Sequence, residues 1–111
     1  MFPRRHDIRI GFAFDAGSGI CLWAKNDAAR ARYGYPIEHR ELPLSEDTKR
    51  HLTHLITWFD MSIDWASPSD SSKAWTDEER KRFMRAAQEG YRLLCRELPP
   101  PQFVFVDEVV A

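Results

Sequence analysis

Two histidines are the first residues to weigh, because imidazoles bind metals and move protons. His51 and His54 stand three residues apart, so on a helix both could face one ion. A zinc site needs three or four ligands, and the spacing brings no third ligand to this pair. We therefore expect partly exposed histidines and no metal. A small metal- or ligand-binding domain or enzyme that uses His51 and His54 stays open as an alternative.

Two further pairs could support catalysis. Cys21 and His39 could act as a nucleophile and its base, but no third group that would activate them can be identified. Asp60 and Asp64 lie about one helical turn apart and could act as paired carboxylates, although a solvated helix face or an interface rim explains them more simply. The chain has no GxSxG, HExxH or phosphate-loop pattern. These observations predict a protein without enzymatic activity and without a cofactor.

The composition is that of a folded protein with no charge bias. Its 111 residues are 43% hydrophobic and 13% aromatic, which suits one domain over residues 1–111. A net charge of −1 favours neither nucleic acid nor an anionic membrane as a partner. We find no signal peptide or apolar span, so we expect a cytoplasmic location. Cys21 and Cys95 are expected to be free, buried thiols.

The longest amphipathic pattern in the sequence occupies residues 44–65 and includes the His51 and His54 pair. It predicts a helix over residues 45–65, with Ser45 as the N-cap and Glu46 and Asp47 at the positive end of the helix dipole. Apolar residues repeat every three or four positions and predict one core face. That face comprises Leu52, Leu55, Ile56, Phe59 and Ile63.

A second row on the same helix lies about a third of a turn away from the core face. It comprises His51, His54, Trp58, Met61 and Trp65. Apolar rows are usually covered internally, so we expect residues 67–74 to fold over this one. The alternatives are that a partner protein covers this row, or that a second copy of the chain covers it in a homo-oligomer. Tryptophan and methionine are both frequent at the centres of interfaces.

The remaining pattern predicts an α+β fold, with a mostly antiparallel sheet of three to four strands and two long helices packed on one face. Thr76 and Glu79 form a capping box that begins the second long helix, and Gly90 allows close packing in its middle. The last strand is apolar on both faces, which predicts an interior position. The expected elements are strands at residues 7–15, 20–25, 36–42 and 102–106 and helices at residues 27–33, 45–65 and 76–98.

Two segments resemble a group of small bacterial proteins. Residues 18–27 contain the pattern CLW-x-x-ND, and residues 58–65 read W-[YF]-D-x-S-[IL]-x-W. The resemblance extends over roughly residues 8–108 and carries no catalytic signature. Some proteins of this kind are immunity proteins of polymorphic or contact-dependent growth inhibition toxins. The resemblance therefore implies an antitoxin. The gene neighbour that would support this function is a large secreted protein with a variable C-terminal domain, encoded immediately upstream.

This implied function predicts a binding surface. We expect a monomer or a heterodimer with a cognate toxin domain, which the chain neutralises by protein–protein contact. Acidic and aromatic residues cluster along the sequence around Trp65 and Trp75 and would complement the basic groove of a nuclease. The expected partner-binding residues are Trp58, Asp60, Met61, Asp64, Trp65, Asp70, Trp75, Asp77 and Glu78.

Overall fold

A computed structural model describes residues 7–62 and 75–106, and its elements follow the predicted order. The α+β class is confirmed. The elements are β1 (Ile8–Phe12), β2 (Leu22–Ala24), α1 (Asp27–Tyr33), β3 (Pro36–Ile37), a 3-10 turn (His39–Glu41), α2 (Glu46–Asp60), α3 (Asp77–Glu97) and β4 (Phe103–Phe105). None of the helices in these two ranges is long and apolar enough to cross a membrane.

The sheet has the strand order β3-β2-β1-β4. β1 pairs antiparallel with β2, and β2 pairs antiparallel with β3, whereas β1 and β4 run parallel. Two of the three pairings are thus antiparallel, as predicted. The parallel pair results from the chain crossing over the sheet through α2 and α3 before it returns as β4, as parallel neighbours require.

The interior position predicted for β4 is wrong. In the described part of the chain β4 pairs only with β1 and lies at the edge of the sheet. Phe103 is buried, and the ring of Phe105 packs against Tyr91 of α3 with centroids 5.7 Å apart. Apolar residues on a strand report which of its faces are covered. They do not report whether a second strand pairs with its edge.

The core lies between the sheet and the helices. Ile8, Ile10 and Phe12 project from β1 and are buried, as alternate residues on the covered face of a strand. From α2, Leu52 and Leu55 are fully buried. Burial of each such side chain contributes about 1.5–3 kcal/mol before conformational entropy is subtracted. The predicted core face of α2 is therefore confirmed over its described length.

The predicted extension of α2 to residue 65 is wrong, because the helix ends at Asp60. The amide of Ser62 donates to the carbonyl oxygen of Phe59 at 3.0 Å, which tightens the last turn. The Ser62 hydroxyl donates to the same carbonyl oxygen at 2.7 Å. Serine competes in this way with continued helix, so Met61 becomes the C-cap.

Glu97, in the last turn of α3, caps the start of α2. Its carboxylate accepts from the Ser45 amide at 2.7 Å and from the Thr48 hydroxyl at 2.6 Å. Burial raises the pKa of Glu97, but these hydrogen bonds outweigh that effect and the net pKa is lowered. The predicted Ser45 cap is also present, since its hydroxyl accepts from the Thr48 amide at 3.1 Å. Both helices are thus joined at one end.

Gly90 sets the separation between α2 and α3. A Cβ atom at this position would lie 3.0 Å from Leu55 Cδ1 and 3.3 Å from His51 Cδ2. Gly90 is buried, and both contacts come from α2. The close packing predicted for this glycine is confirmed, and it compensates for the poor helix propensity of glycine.

The Gly90→Val substitution tests this contact. We expect a loss of about 1–3 kcal/mol in the free energy of unfolding, because the added isopropyl group must displace buried Leu55. Gln88→Val is the matched control, since it places the same β-branched residue on the exposed side of α3. Urea unfolding of both variants provides the measurement. Helix propensity alone favours valine over glycine, so a Gly90→Val protein that is as stable as the unaltered one would contradict the packing explanation.

The Glu97→Gln substitution tests the cap on α2. At pH 7 we expect a loss of about 1–3 kcal/mol in the free energy of unfolding, because a charged acceptor is removed. The folded pKa lies below the ordinary value of 4.5, so this stabilisation is present above pH 4.5 and is lost as the pH falls through the folded pKa. The difference between the two proteins should therefore narrow below pH 4.5. Glu89→Gln removes a carboxylate from an exposed ion pair and should cost much less at pH 7.

Candidate functional site

An aromatic cluster forms where α2 ends and α3 begins. Trp58 packs edge-on against Phe83 with ring centroids 5.3 Å apart, and Trp75 lies 4.8 Å from the same Phe83 ring. Phe59 and Phe14 also contact Phe83, at 5.9 and 5.1 Å. Such edge-to-face contacts are favourable beyond the area they bury. Hence two of the residues expected to bind a partner, Trp58 and Trp75, are partly buried structural contacts.

The second row of α2 is thus covered at least partly by α3. The Nε2 atom of His51 donates to the Ala86 carbonyl oxygen at 3.0 Å, and the ring of Trp58 contacts Phe83. His54 is exposed, with its ring 5.8 Å from that of Trp58. The loop at residues 67–74, which we expected to cover this row, lies outside the described residues.

Met61 is the most exposed apolar residue beside the aromatic cluster. It has 75% of its surface accessible and directly follows α2. A methionine in this position offers a flexible apolar contact to a second protein. Asp64, Trp65 and Asp70, which we expected to lie near it, fall outside the described residues. Among the described residues of the expected surface, Met61 is therefore the apolar side chain that is exposed and accessible to a partner.

The acidic residues of the expected surface have different roles. Asp60 accepts from the Gly17 amide at 2.9 Å and so holds the turn between β1 and β2. Asp77 and Glu78 are exposed in the first turn of α3, where the helix dipole favours negative charge. By helical geometry they project about 120–140° away from Phe83. The structure therefore brings the tryptophans together and leaves these two carboxylates on the outer side of α3.

The histidine pair is the candidate metal site of the sequence. In residues 7–62 and 75–106, no three histidine, cysteine or acidic side chains converge as metal ligands would. His51 is directed at a carbonyl oxygen of α3, whereas His54 is exposed beside Trp58. His51 therefore has a structural role, because its hydrogen bond joins α2 to α3.

The Cys21 and His39 side chains are also structural. Cys21 is fully buried, and burial raises the pKa of its thiol, so it stays protonated and unreactive. His39 Nε2 lies 2.8 Å from the Thr53 hydroxyl and links the 3-10 turn to α2. Burial lowers the pKa of His39, which keeps its ring neutral. Neither group is poised for nucleophilic catalysis.

One set of candidate residues was missed by counting charges along the sequence. That count sets the basic residues near the start of α3 against Asp77, Glu78 and Glu79, which precede them, and finds the charges balanced. In the structure Glu79 is engaged in the capping box with Thr76, and Glu97 is engaged with α2. The helical period gives the missing signal, since Lys81, Arg85, Gln88, Arg92 and Arg96 recur every three or four residues on one exposed face.

The family of the chain follows from comparison with known proteins. A family model described as Serratia CdiI immunity protein-like matches residues 9–108. Because this match covers most of the sequence, the chain belongs to that family of immunity proteins. The resemblance to immunity proteins of contact-dependent growth inhibition is thereby confirmed. No curated protein matches the chain.

Replacing Trp58 and Met61 separately distinguishes the structural residue from the exposed one. We expect Trp58→Ala to lower the free energy of unfolding by about 2–4 kcal/mol, because the substitution opens the aromatic cluster. Met61→Ala should change it by no more than about 0.5 kcal/mol, since the side chain is exposed. Chemical denaturation measures both. A cost at Met61 as large as that at Trp58 would contradict this assignment.

Proposed function

We propose that the chain is an immunity protein that binds one cognate toxin domain and neutralises it by covering its active site or substrate-binding surface. The single observation that supports this function is the family match over residues 9–108. In this proposal the chain acts in the cytoplasm by binding alone and requires no cofactor.

The proposed contact surface combines the exposed Met61 with the acidic turn at Asp77 and Glu78. The aromatic cluster behind Met61 supports it, because packed tryptophans hold the end of α2 in one position. Interfaces commonly have such an apolar centre with a charged rim. Trp65, Asp64 and Asp70 belong to the same proposed surface on sequence grounds.

A nuclease is the toxin that the acidic residues of this surface favour. The substrate groove of a nuclease must attract phosphates and is therefore basic, so exposed carboxylates would complement it. Complementary charge mainly speeds association, and the effect weakens as salt is added. The proposed role of Asp77 and Glu78 is to guide the encounter, while the apolar contact at Met61 slows dissociation.

Charge reversal at Asp77 and Glu78 tests the proposed surface. The probe is the purified C-terminal toxin domain of the secreted protein encoded immediately upstream. We expect Asp77→Lys with Glu78→Lys to lower the association rate at low salt by about tenfold or more. Glu46→Lys with Asp47→Lys is a matched control, because this pair also occupies the first turn of a long helix and is exposed.

The control pair loses the same helix-dipole contribution and changes the net charge by the same amount. It should therefore alter the association rate much less than the α3 pair does. Equal effects of both pairs would mean that only net charge matters and that this surface is wrong. If the unaltered chain neither binds the toxin domain nor protects cells that produce it, the proposed function is wrong.

A further inference from the structure

The outer side of α3 carries a row of cations that the proposed contact surface does not use. Lys81, Arg85, Arg92 and Arg96 are all exposed, with Gln88 between them. At a rise of 1.5 Å per residue the row is about 22 Å long. It lies opposite the side of α3 that faces the core, which carries Phe83, Ala87, Gly90 and Leu94.

This row is only weakly neutralised by the chain itself. Between residues 80 and 96 the one carboxylate is Glu89, which pairs with Arg92. Within the two described ranges, Lys81 and Arg85 form no ion pair with any residue. Glu97 lies close to Arg96, but its carboxylate is bonded to Ser45 and Thr48 of α2. The outer side of α3 therefore presents an excess of positive charge.

The row borders two shallow, open depressions of the surface. A cavity of about 520 Å³ is lined by Arg85, Gln88, Glu89, Tyr91 and Arg92. A second cavity of about 480 Å³ shares three of these residues and continues to Leu93, Cys95 and Arg96. We call the two together the cationic groove. Tyr91 stacks on Phe12 of β1 with centroids 6.2 Å apart, so its ring is held in place by the core.

We propose that the cationic groove holds an acidic segment of the cognate toxin, at the end of the helix pair opposite to Met61. This inference rests on the proposed function. Arginine and tyrosine are enriched at the centres of interfaces, and the arginine fork can bind a carboxylate through two hydrogen bonds. An acidic side chain of the toxin would meet Arg92 and Arg96 one helical turn apart, with Leu93 and Cys95 providing apolar contact.

The distribution of charge along α3 favours a protein over a nucleic acid as the occupant. Asp77 and Glu78 begin the same outer side on which the cations continue. A nucleic acid lying along the helix would bring phosphates close to both carboxylates. A protein surface can instead place cations opposite Asp77 and Glu78 and carboxylates opposite Arg92 and Arg96. Such alternation also fixes the direction in which the partner binds.

Charge reversal in the groove, combined with a change in salt, tests the inference. The probe is again the toxin domain encoded upstream, studied by stopped-flow binding at low and high ionic strength. We expect Arg92→Glu with Arg96→Glu to lower the association rate at low salt by about tenfold to a hundredfold, with a smaller effect at high salt. Arg30→Glu with Arg32→Glu on α1 makes the same charge change at exposed positions and should cost less than about threefold.

A conservative pair, Arg92→Lys with Arg96→Lys, separates charge from geometry. It should leave the association rate nearly unchanged and should speed dissociation, because lysine keeps the charge but cannot form the bidentate contact. Unchanged kinetics for both groove pairs, with normal toxin binding, would overturn this inference and leave the proposed function intact. Failure of the unaltered chain to bind the toxin would overturn both.

A separate binding experiment tests whether a nucleic acid, and not a protein, occupies the cationic groove. The free chain is titrated into a fluorescent 20-base-pair DNA duplex and into bulk transfer RNA, at the same low ionic strength. We expect no saturable binding. Binding that disappears in the Arg92→Glu with Arg96→Glu variant, while that variant still binds the toxin normally, would overturn the assignment of the groove to a protein partner.

Discussion

The close approach of α2 to α3 at Gly90 is the constraint on which the rest of the structure depends. Leu55 and His51 of α2 lie where any side chain at residue 90 would have to go. This contact fixes both the separation and the rotation of the two helices, because only one face of each can enter it. Glu97 then joins the helices at one end by bonding to Ser45, and the aromatic cluster joins them at the other. The exposed residues are those that this packing leaves outside.

Local signals were sufficient to predict much of the fold. Asn26 caps α1 and Gly34 ends it, and the chemistry of both caps is contained in a few neighbouring residues. The end of α2 was missed, since a helical period does not reveal that the Ser62 hydroxyl takes a backbone carbonyl. The use of Glu97 could not be predicted either, because its partner Ser45 is 52 residues away.

The candidate site shows the same division between local and long-range information. The helical period placed Trp58 and Trp65 in a second apolar row, but it could not distinguish a packed ring from an exposed one. Phe83 decides the matter by covering Trp58. Met61 stays exposed because the helix ends before it can pack. The proposed function depends on where α2 ends and on which side of α3 carries charge. The packing of α2 against α3 determines which of these residues are exposed.

Hydroxyl-radical footprinting of the chain, alone and with its toxin domain, measures the central claim most directly. It reports side-chain exposure at single residues, and methionine and tyrosine react readily. Met61 and Tyr91 should become protected in the complex, because both border the proposed contact surfaces. Tyr35 is 54% exposed on the β2–β3 side of the molecule and should stay reactive. Protection of Tyr35 with unchanged oxidation of Met61 and Tyr91 would contradict the account.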